Sequence, residues 1–126
     1  MGTFRVGCKV QHIAEASKSA KVDRLLVDTG SDYTWLPAKV LEKLGVEIVK
    51  KDLVFTMANG QTITRSVGYV ILYVDKFQTI DEVVFAQPGD MNLLGARTLE
   101  GFNAAVHPKR KKLVAAGPIA VAGIRR

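Results

Sequence analysis

The chain of 126 residues has a single cysteine, Cys8, so it can form no internal disulfide and nothing in it requires an oxidising compartment. It has only two histidines, His12 and His107, with no cysteine or second histidine at ligand spacing, so no metal and no other cofactor is expected. Long apolar runs are also missing. The stretch Leu113 to Ile124 is 12 residues long and broken by Gly117-Pro118, well short of the about 20 apolar residues a membrane helix needs. The first residues, Met1 to Val6, contain no secretory apolar region, and Val6 stands where a myristoylation signal has Ser or Thr. There is no glycine-rich phosphate loop, repeat, low-complexity tract or linker. The expectation is one soluble cytoplasmic domain over residues 1–126, without membrane contact, in a chain whose 48% hydrophobic and 24% charged residues are ordinary for a globular protein.

The formal charge of +6 is not spread over the chain. Residues 1–106 hold 12 basic and 12 acidic side chains, whereas the last 20 residues hold Lys109, Arg110, Lys111, Lys112, Arg125 and Arg126 and no acid. A nucleic-acid binder distributes cations over a docking face, with aromatics or a groove-reading helix to match. The run His107-Pro108-Lys109-Arg110-Lys111-Lys112 reads instead as a solvated turn between two strands, and nucleic acid is not an expected partner.

Most of the chain has strand character. Phe4, Val6, Cys8 and Val10 alternate with polar or small residues, the period of a half-buried strand. After a polar loop at Glu15 to Ser19, Lys21 to Val27 returns as a second strand whose end, Leu25-Leu26-Val27, is apolar on both faces. Lys51 to Met57 and Thr62 to Val74 flank Ala58-Asn59-Gly60-Gln61, and Asn-Gly between two such runs is the strongest short hairpin signal. A further pair, Tyr69 to Val74 with Thr79 to Phe85, turns near Asp75-Lys76-Phe77. Tyr69 and Tyr73 share one strand face, which is expected against the core or a subunit contact. Two short helices are predicted: one opening at Pro37 with Val40, Leu41 and Leu44 on one face and Gly45 as its stop, and one over Ala96 to Phe102. The fold class is mostly β with two short helices.

Asp28-Thr29-Gly30-Ser31 follows directly on Leu25-Leu26-Val27. Burying a carboxylate costs several kcal/mol unless something compensates. Asp28 could cap a tight turn, pair with a buried cation, or serve as a working acid or base where Gly30 lets a substrate approach the backbone. Composition alone produces an Asp-Thr-Gly triplet in about one chain of this length in forty, so the triplet needs its context. Ser31 and Ser66 have no His/Asp arrangement around them, Gly30-Ser31-Asp32 is no nucleophile elbow, and Cys8 on an alternating apolar face reads as core.

That context resembles the retropepsin-like aspartic peptidase family. Leu25 to Ser31 with Trp35 is similar to the active-site loop of aspartic peptidases, and Pro37 to Gly45 to the short segment that follows it. The Asn59-Gly60 hairpin takes the place of the flap. Asn92-Leu93-Leu94-Gly95, then Ala96-Arg97-Thr98-Leu99, resembles the hydrophobic-hydrophobic-Gly motif and its helix, 67 residues after Asp28. The ordered set runs from about residue 4 to residue 115. Retroviral members place Arg directly after the motif glycine, paired with the acid two residues beyond Asp-Thr-Gly. Here Ala96 intervenes and Arg97 comes second, which leaves an Asp32–Arg97 pair open but not implied, and the tail from Leu113 differs from the short terminal strand of viral enzymes.

The resemblance implies a closed β-barrel of the acid-protease fold, one lobe per chain. It implies Asp28 as catalytic acid, Thr29 as the residue that stiffens the paired loops and Gly30 as the space for substrate. Ser31, Asp32, the flap residues Ala58, Asn59, Gly60 and Gln61, and Leu94 are implied substrate-binding positions. The chemistry needs two carboxylates sharing one proton, and this chain has one Asp-Thr-Gly and no Asp-Ser-Gly. The second acid must then come from another copy across a two-fold axis, with a polypeptide as substrate. The alternative is a dimerisation or peptide-binding module that keeps the fold with little activity.

Overall fold

Short amphipathic strands separated by turn residues have to pair into a sheet before they can bury their apolar faces. In the computed structural model, which describes residues 4–119, strands make up 52% and helices 11%. The strands are β1 (Arg5–Gln11), β2 (Ser19–Val27), β3 (Thr34–Pro37), β4 (Lys50–Thr56), β5 (Thr62–Val74), β6 (Phe77–Ala86), β7 (Leu93–Leu94), β8 (Ala104–His107) and β9 (Lys112–Ala115); the helices are α1 (Ala38–Lys43) and α2 (Ala96–Phe102). Seven strands form one sheet in the order β1-β2-β7-β3-β6-β5-β4. Lys9, Val10 and Gln11 of β1 also pair with Tyr73, Leu72 and Ile71 of β5, so the pairings close into a ring. β8 and β9 form a separate hairpin.

The predicted elements are present, with two strands added. Thr34–Pro37 and Leu93–Leu94 are too short to show a period, and both are defined by their neighbours. β7 runs parallel to β2, with Leu26 opposite Leu93 and Val27 opposite Leu94, and meets β3 at Trp35. It therefore lies between two strands that are consecutive in the chain, and residues 28–33 must bridge over its end. The first helix ends as its sequence predicts. Gly45 has φ +75°, its amide bonds to the Glu42 carbonyl at 3.0 Å and the Val46 amide to that of Leu41 at 2.9 Å, a Schellman stop.

Two apolar clusters hold the sheet. The larger contains Cys8, Val10, Leu25, Leu36, Leu41, Leu72, Leu94, Leu99, Phe102 and Leu113 among others. The smaller contains Trp35, Val67, Val84, Ala86 and Leu93, with Leu26, Tyr33, Leu53, Phe55 and Ile63 packed against it. Leu25 and Leu26 thus face different clusters, which is why that run is apolar on both sides. In the smaller cluster the Phe55 ring lies 5.1 Å from Trp35 and 5.4 Å from Tyr33, contacts worth about 0.5–1.5 kcal/mol each beyond burial.

The hairpin β4–β5 turns at Met57–Gln61. The Gly60 amide bonds to the Met57 carbonyl at 2.9 Å and the Met57 amide to that of Gln61 at 2.7 Å. Gly60 has φ +87° while Asn59 keeps negative φ, so this is a three-residue turn with a glycine bulge, not a two-residue turn with both residues left-handed. Tyr69 is 38% exposed, and Tyr73 lies beneath Lys9, whose ammonium is 4.3 Å from the ring centroid. Neither belongs to either cluster: Val67, on the same strand face, packs in the smaller one, and the two tyrosines lie beyond its edge. The basic run forms the turn between β8 and β9, as predicted. No helix among the described residues is long and apolar enough to cross a membrane.

Candidate active site

Asp28 leaves β2 where that strand is wedged against β7. Its amide donates to the Leu94 carbonyl at 3.0 Å, extending the β2–β7 pairing by one residue. Its carboxylate then folds back: Oδ1 accepts the Gly30 amide at 2.9 Å, and the Ser31 amide donates to the Asp28 carbonyl at 3.2 Å. One oxygen therefore caps the turn. Oδ2 has no hydrogen-bond partner among the described residues, Asp28 is half-buried, and no cation pairs with it there.

The far side of the loop is clamped by the start of α2. The Ala96 amide donates to the Ser31 carbonyl at 2.7 Å and the Arg97 amide to the Asp32 carbonyl at 3.0 Å. Gly95 makes this possible. A Cβ there would run into the backbone of Asp32 and Tyr33, so the approach of loop to helix requires a glycine. The Gly95 amide donates to Thr34 Oγ1 at 2.9 Å. Thr34 Oγ1 also meets Thr98 Oγ1, which donates to Asp81 Oδ2 at 2.5 Å. Thr98 has one proton and it goes to the carboxylate, so Thr34 is the donor to Thr98. The chain from Gly95 through Thr34 and Thr98 to Asp81 leaves no hydroxyl unpaired, although both threonines are fully buried.

Thr29, Gly30 and Asp32 are exposed and Ser31 is half-buried, so the loop presents its polar edge outward. The tip residues Ala58, Asn59, Gly60 and Gln61 are exposed as well, and Asn59 Oδ1 accepts the Gln61 amide at 3.0 Å within the turn. Leu94 departs from expectation. Its side chain is fully buried in the larger cluster and only its carbonyl serves the loop, while Leu93 faces the smaller cluster. Alternation along a strand places adjacent residues on opposite sides. The Asp32–Arg97 ion pair is not formed either. Arg97 sits one position later than the retroviral arginine, a rotation of about 100° around a helix. Its guanidinium stacks 4.6 Å from the Tyr33 ring centroid and reaches Glu82 Oε1 at 3.4 Å.

Glu82 is only 4% exposed. It is offset by Lys50 at 2.9 Å, by Arg97 and by the Tyr33 hydroxyl at 3.4 Å. The close contact with this carboxylate, and then its charge, raise the Lys50 ammonium above its ordinary pKa. Glu82, Asp81, Thr34 and Thr98 were not among the expected site residues. The signals were present: two acids inside the apolar run of β6, and a threonine on the buried face of α2. Burial pushes the Cys8 thiol up to about 12, which keeps it protonated and inert. Both histidines act as turn acceptors, His12 Nδ1 from the Ala14 amide at 3.0 Å and His107 Nδ1 from the Arg110 amide at 3.2 Å.

A family model described as gag-polyprotein putative aspartyl protease matches residues 17–101, about two thirds of the chain. The matched span contains the Asp28 loop, the β4–β5 hairpin, β7 and nearly all of α2. No curated protein matches the chain. With the family's Asp-Thr-Gly on a loop braced by a Leu-Leu-Gly segment, the chain belongs to the gag-polyprotein aspartyl proteases, a retropepsin-like aspartic protease family.

Proposed function

We propose that the protein is a homodimeric aspartic endopeptidase in which Asp28 and Asp28 of a second copy form the catalytic pair. The observation that carries this reading is the state of the Asp28 carboxylate. One oxygen is committed to holding the loop, and the other has no partner among the described residues, at the end of a strand whose neighbours on both sides are fixed by backbone hydrogen bonds. A single chain supplies one such group, and the reaction needs two.

Two carboxylates about 3 Å apart cannot both ionise, so between their apparent pKa values the pair holds a single proton. The ionised member takes a proton from a water held between them, and that water attacks the scissile carbonyl. The protonated member stabilises the developing gem-diol and then helps protonate the leaving amine. Thr29 would stiffen the paired loops across the two-fold axis, and exposed Gly30 leaves room for the substrate backbone. The β4–β5 hairpin would serve as a flap. An extended peptide beneath it would add as a strand, taking affinity from main-chain bonds and preference from side-chain pockets.

The test is cleavage of an unstructured, casein-like protein across roughly pH 3 to 8, the range that spans the pair's titration. Wild type should cleave, with a rate rising faster than linearly with concentration near the dimer midpoint, and Asp28→Asn should abolish cleavage. A confirmed dimer with no activity at any pH would favour a peptide-binding module instead. Equal cleavage by the Asn variant would remove Asp28 from the mechanism.

A further inference from the structure

The flap reading leaves open what holds the flap in place. Residues 62–66 of β5 pair only with β4; pairing with β6 begins at Val67, opposite Val84. The outer half of the hairpin is therefore a two-stranded arm, a form with little stability of its own. Leu53, Phe55, Ile63 and Val67 lie on its inner face, in or against the smaller apolar cluster. Arg65 shares that face by alternation and is the only charged residue on it within the arm.

All three nitrogens of the Arg65 guanidinium are engaged. Nε donates to Asp90 Oδ2 at 2.6 Å and one terminal nitrogen to Asp90 Oδ1 at 2.8 Å, a two-pronged pair, while the other terminal nitrogen donates to the Thr64 carbonyl at 2.7 Å. Asp90 is fixed in turn, because its Oδ2 accepts the Gln87 amide at 2.8 Å and its own amide donates to the Gln87 carbonyl at 2.9 Å. The side chains are 20% and 11% exposed, against 46% and 53% for the solvated pair Lys18–Glu15. Asp90 lies three residues before Leu93, so the ion pair joins the arm to the segment that walls the smaller cluster and then braces the Asp28 loop.

We propose that Arg65 and Asp90 are positioning residues that tie the flap arm to the segment of its own chain that leads into β7, holding it ordered before substrate arrives. The role in turnover rests on the peptidase reading; the tie itself does not. A pre-ordered arm leaves less conformational entropy to be lost on binding, so the tie acts on KM more than on kcat.

Amide hydrogen exchange over residues 53–66 tests the tie without reference to activity. A partly buried, two-pronged, charge-assisted pair corresponds to a change of about ten- to a hundredfold. Arg65→Gln and Asp90→Asn should each speed exchange in the arm by about tenfold or more, and the double variant should go little further than either single. Asn at position 90 retains a carbonyl for the Gln87 amide, and unchanged exchange in β1 and β2 certifies that the ring is intact. Arg65→Lys, which keeps the charge but not the fork, should recover only part of the protection. In a peptide-cleavage assay the single variants should raise KM severalfold with kcat nearly unchanged. Unchanged arm exchange, or fully additive effects in the double variant, would overturn the tie. A loosened arm with unaltered KM would overturn the positioning role. Absence of cleavage by wild type would overturn the peptidase reading and the positioning role with it, while the exchange result still decides the tie.

Discussion

The Asp28 loop and the β4–β5 arm are held in opposite ways. The loop is clamped through its backbone: the Asp28 amide on Leu94, and the Ala96 and Arg97 amides on Ser31 and Asp32. The arm is held through side chains, with Phe55 against Trp35 and Tyr33 on one strand and Arg65 on Asp90 on the other. Backbone clamps fix a carboxylate to within a hydrogen-bond length, as the proposed pairing of two acids would require. Side-chain ties open at a cost of a few kcal/mol or less, as would suit the flap proposed above. The loop is thus held by main chain and the arm by side chains.

The largest effect should come from breaking the clamp. Gly95→Ala places a methyl group against the backbone of Asp32 and Tyr33, which cannot rotate away as a side chain would. Overpacking against immobile atoms costs about 3 kcal/mol or more, a fall in melting temperature on the order of 10 °C for a domain of this size. Cleavage should be lost with it, and calorimetry beside the cleavage assay checks both.

Next in size is the buried chain behind Gly95. Thr98→Val keeps the shape but removes both the donor to Asp81 and the acceptor for Thr34, leaving the buried Thr34 hydroxyl and the half-buried Asp81 carboxylate each short of a partner. Each such group costs about 1–3 kcal/mol. Thr98→Ser restores the hydroxyl and should recover most of the loss. If the valine variant melts within about 0.5 kcal/mol of wild type, the proton accounting given for this chain is wrong.

How much of this could be read from the sequence follows the same division. The Asp28 loop was legible because a backbone clamp imposes its demands on fixed positions: small residues at Gly30 and Gly95, an apolar run before Asp28, and Leu93-Leu94 before the helix. The hairpin was legible from Asn59-Gly60, although only Gly60 is left-handed. Side-chain ties impose no such spacing. Arg65 and Asp90 are 25 residues apart and could each have met another partner. Arg97 shows the converse: its backbone amide is fixed on the Asp32 carbonyl, yet its guanidinium lies on Tyr33 and Glu82, partners no spacing in the sequence announces. Leu93 and Leu94 are equally apolar, and only the parallel pairing with β2 decides which faces the larger cluster.

A smaller effect separates the arm from the loop by pH. The hydrogen bond from Arg65 holds the Asp90 carboxyl below its ordinary value of 3.8, and the Gln87 amide and the arginine's charge act in the same direction. A depressed folded-state value means that the tie contributes fully above pH 3.8 and is lost as pH falls through the lowered value. Corrected for the intrinsic pH dependence of exchange, arm protection should hold from neutral pH down to about 4 and fall only below it, with β1 and β2 unchanged. Protection lost already near pH 6 would mean that another group governs the arm.

The smallest effect is expected at the other hairpin, and it shows what an untied hairpin looks like. β8–β9 buries Leu113 but turns through Lys109, Arg110 and Lys111, which are exposed and form no ion pair among the described residues. Unlike Arg65, these cations have no fixed acid to reach, so removing them leaves nothing buried and unpaired. Replacing Lys109, Arg110, Lys111 and Lys112 together by Gln should change stability by no more than about 0.5 kcal/mol and leave kcat/KM unaltered. A loss of cleavage that follows ionic strength would mean that the cluster draws in an acidic substrate. Binding to a nucleic acid that weakens steeply with salt and vanishes in the Gln variant would give the hairpin a docking role. If neither is seen, exposed charge without a fixed counter-charge is solvated charge, and the contrast with Arg65 stands.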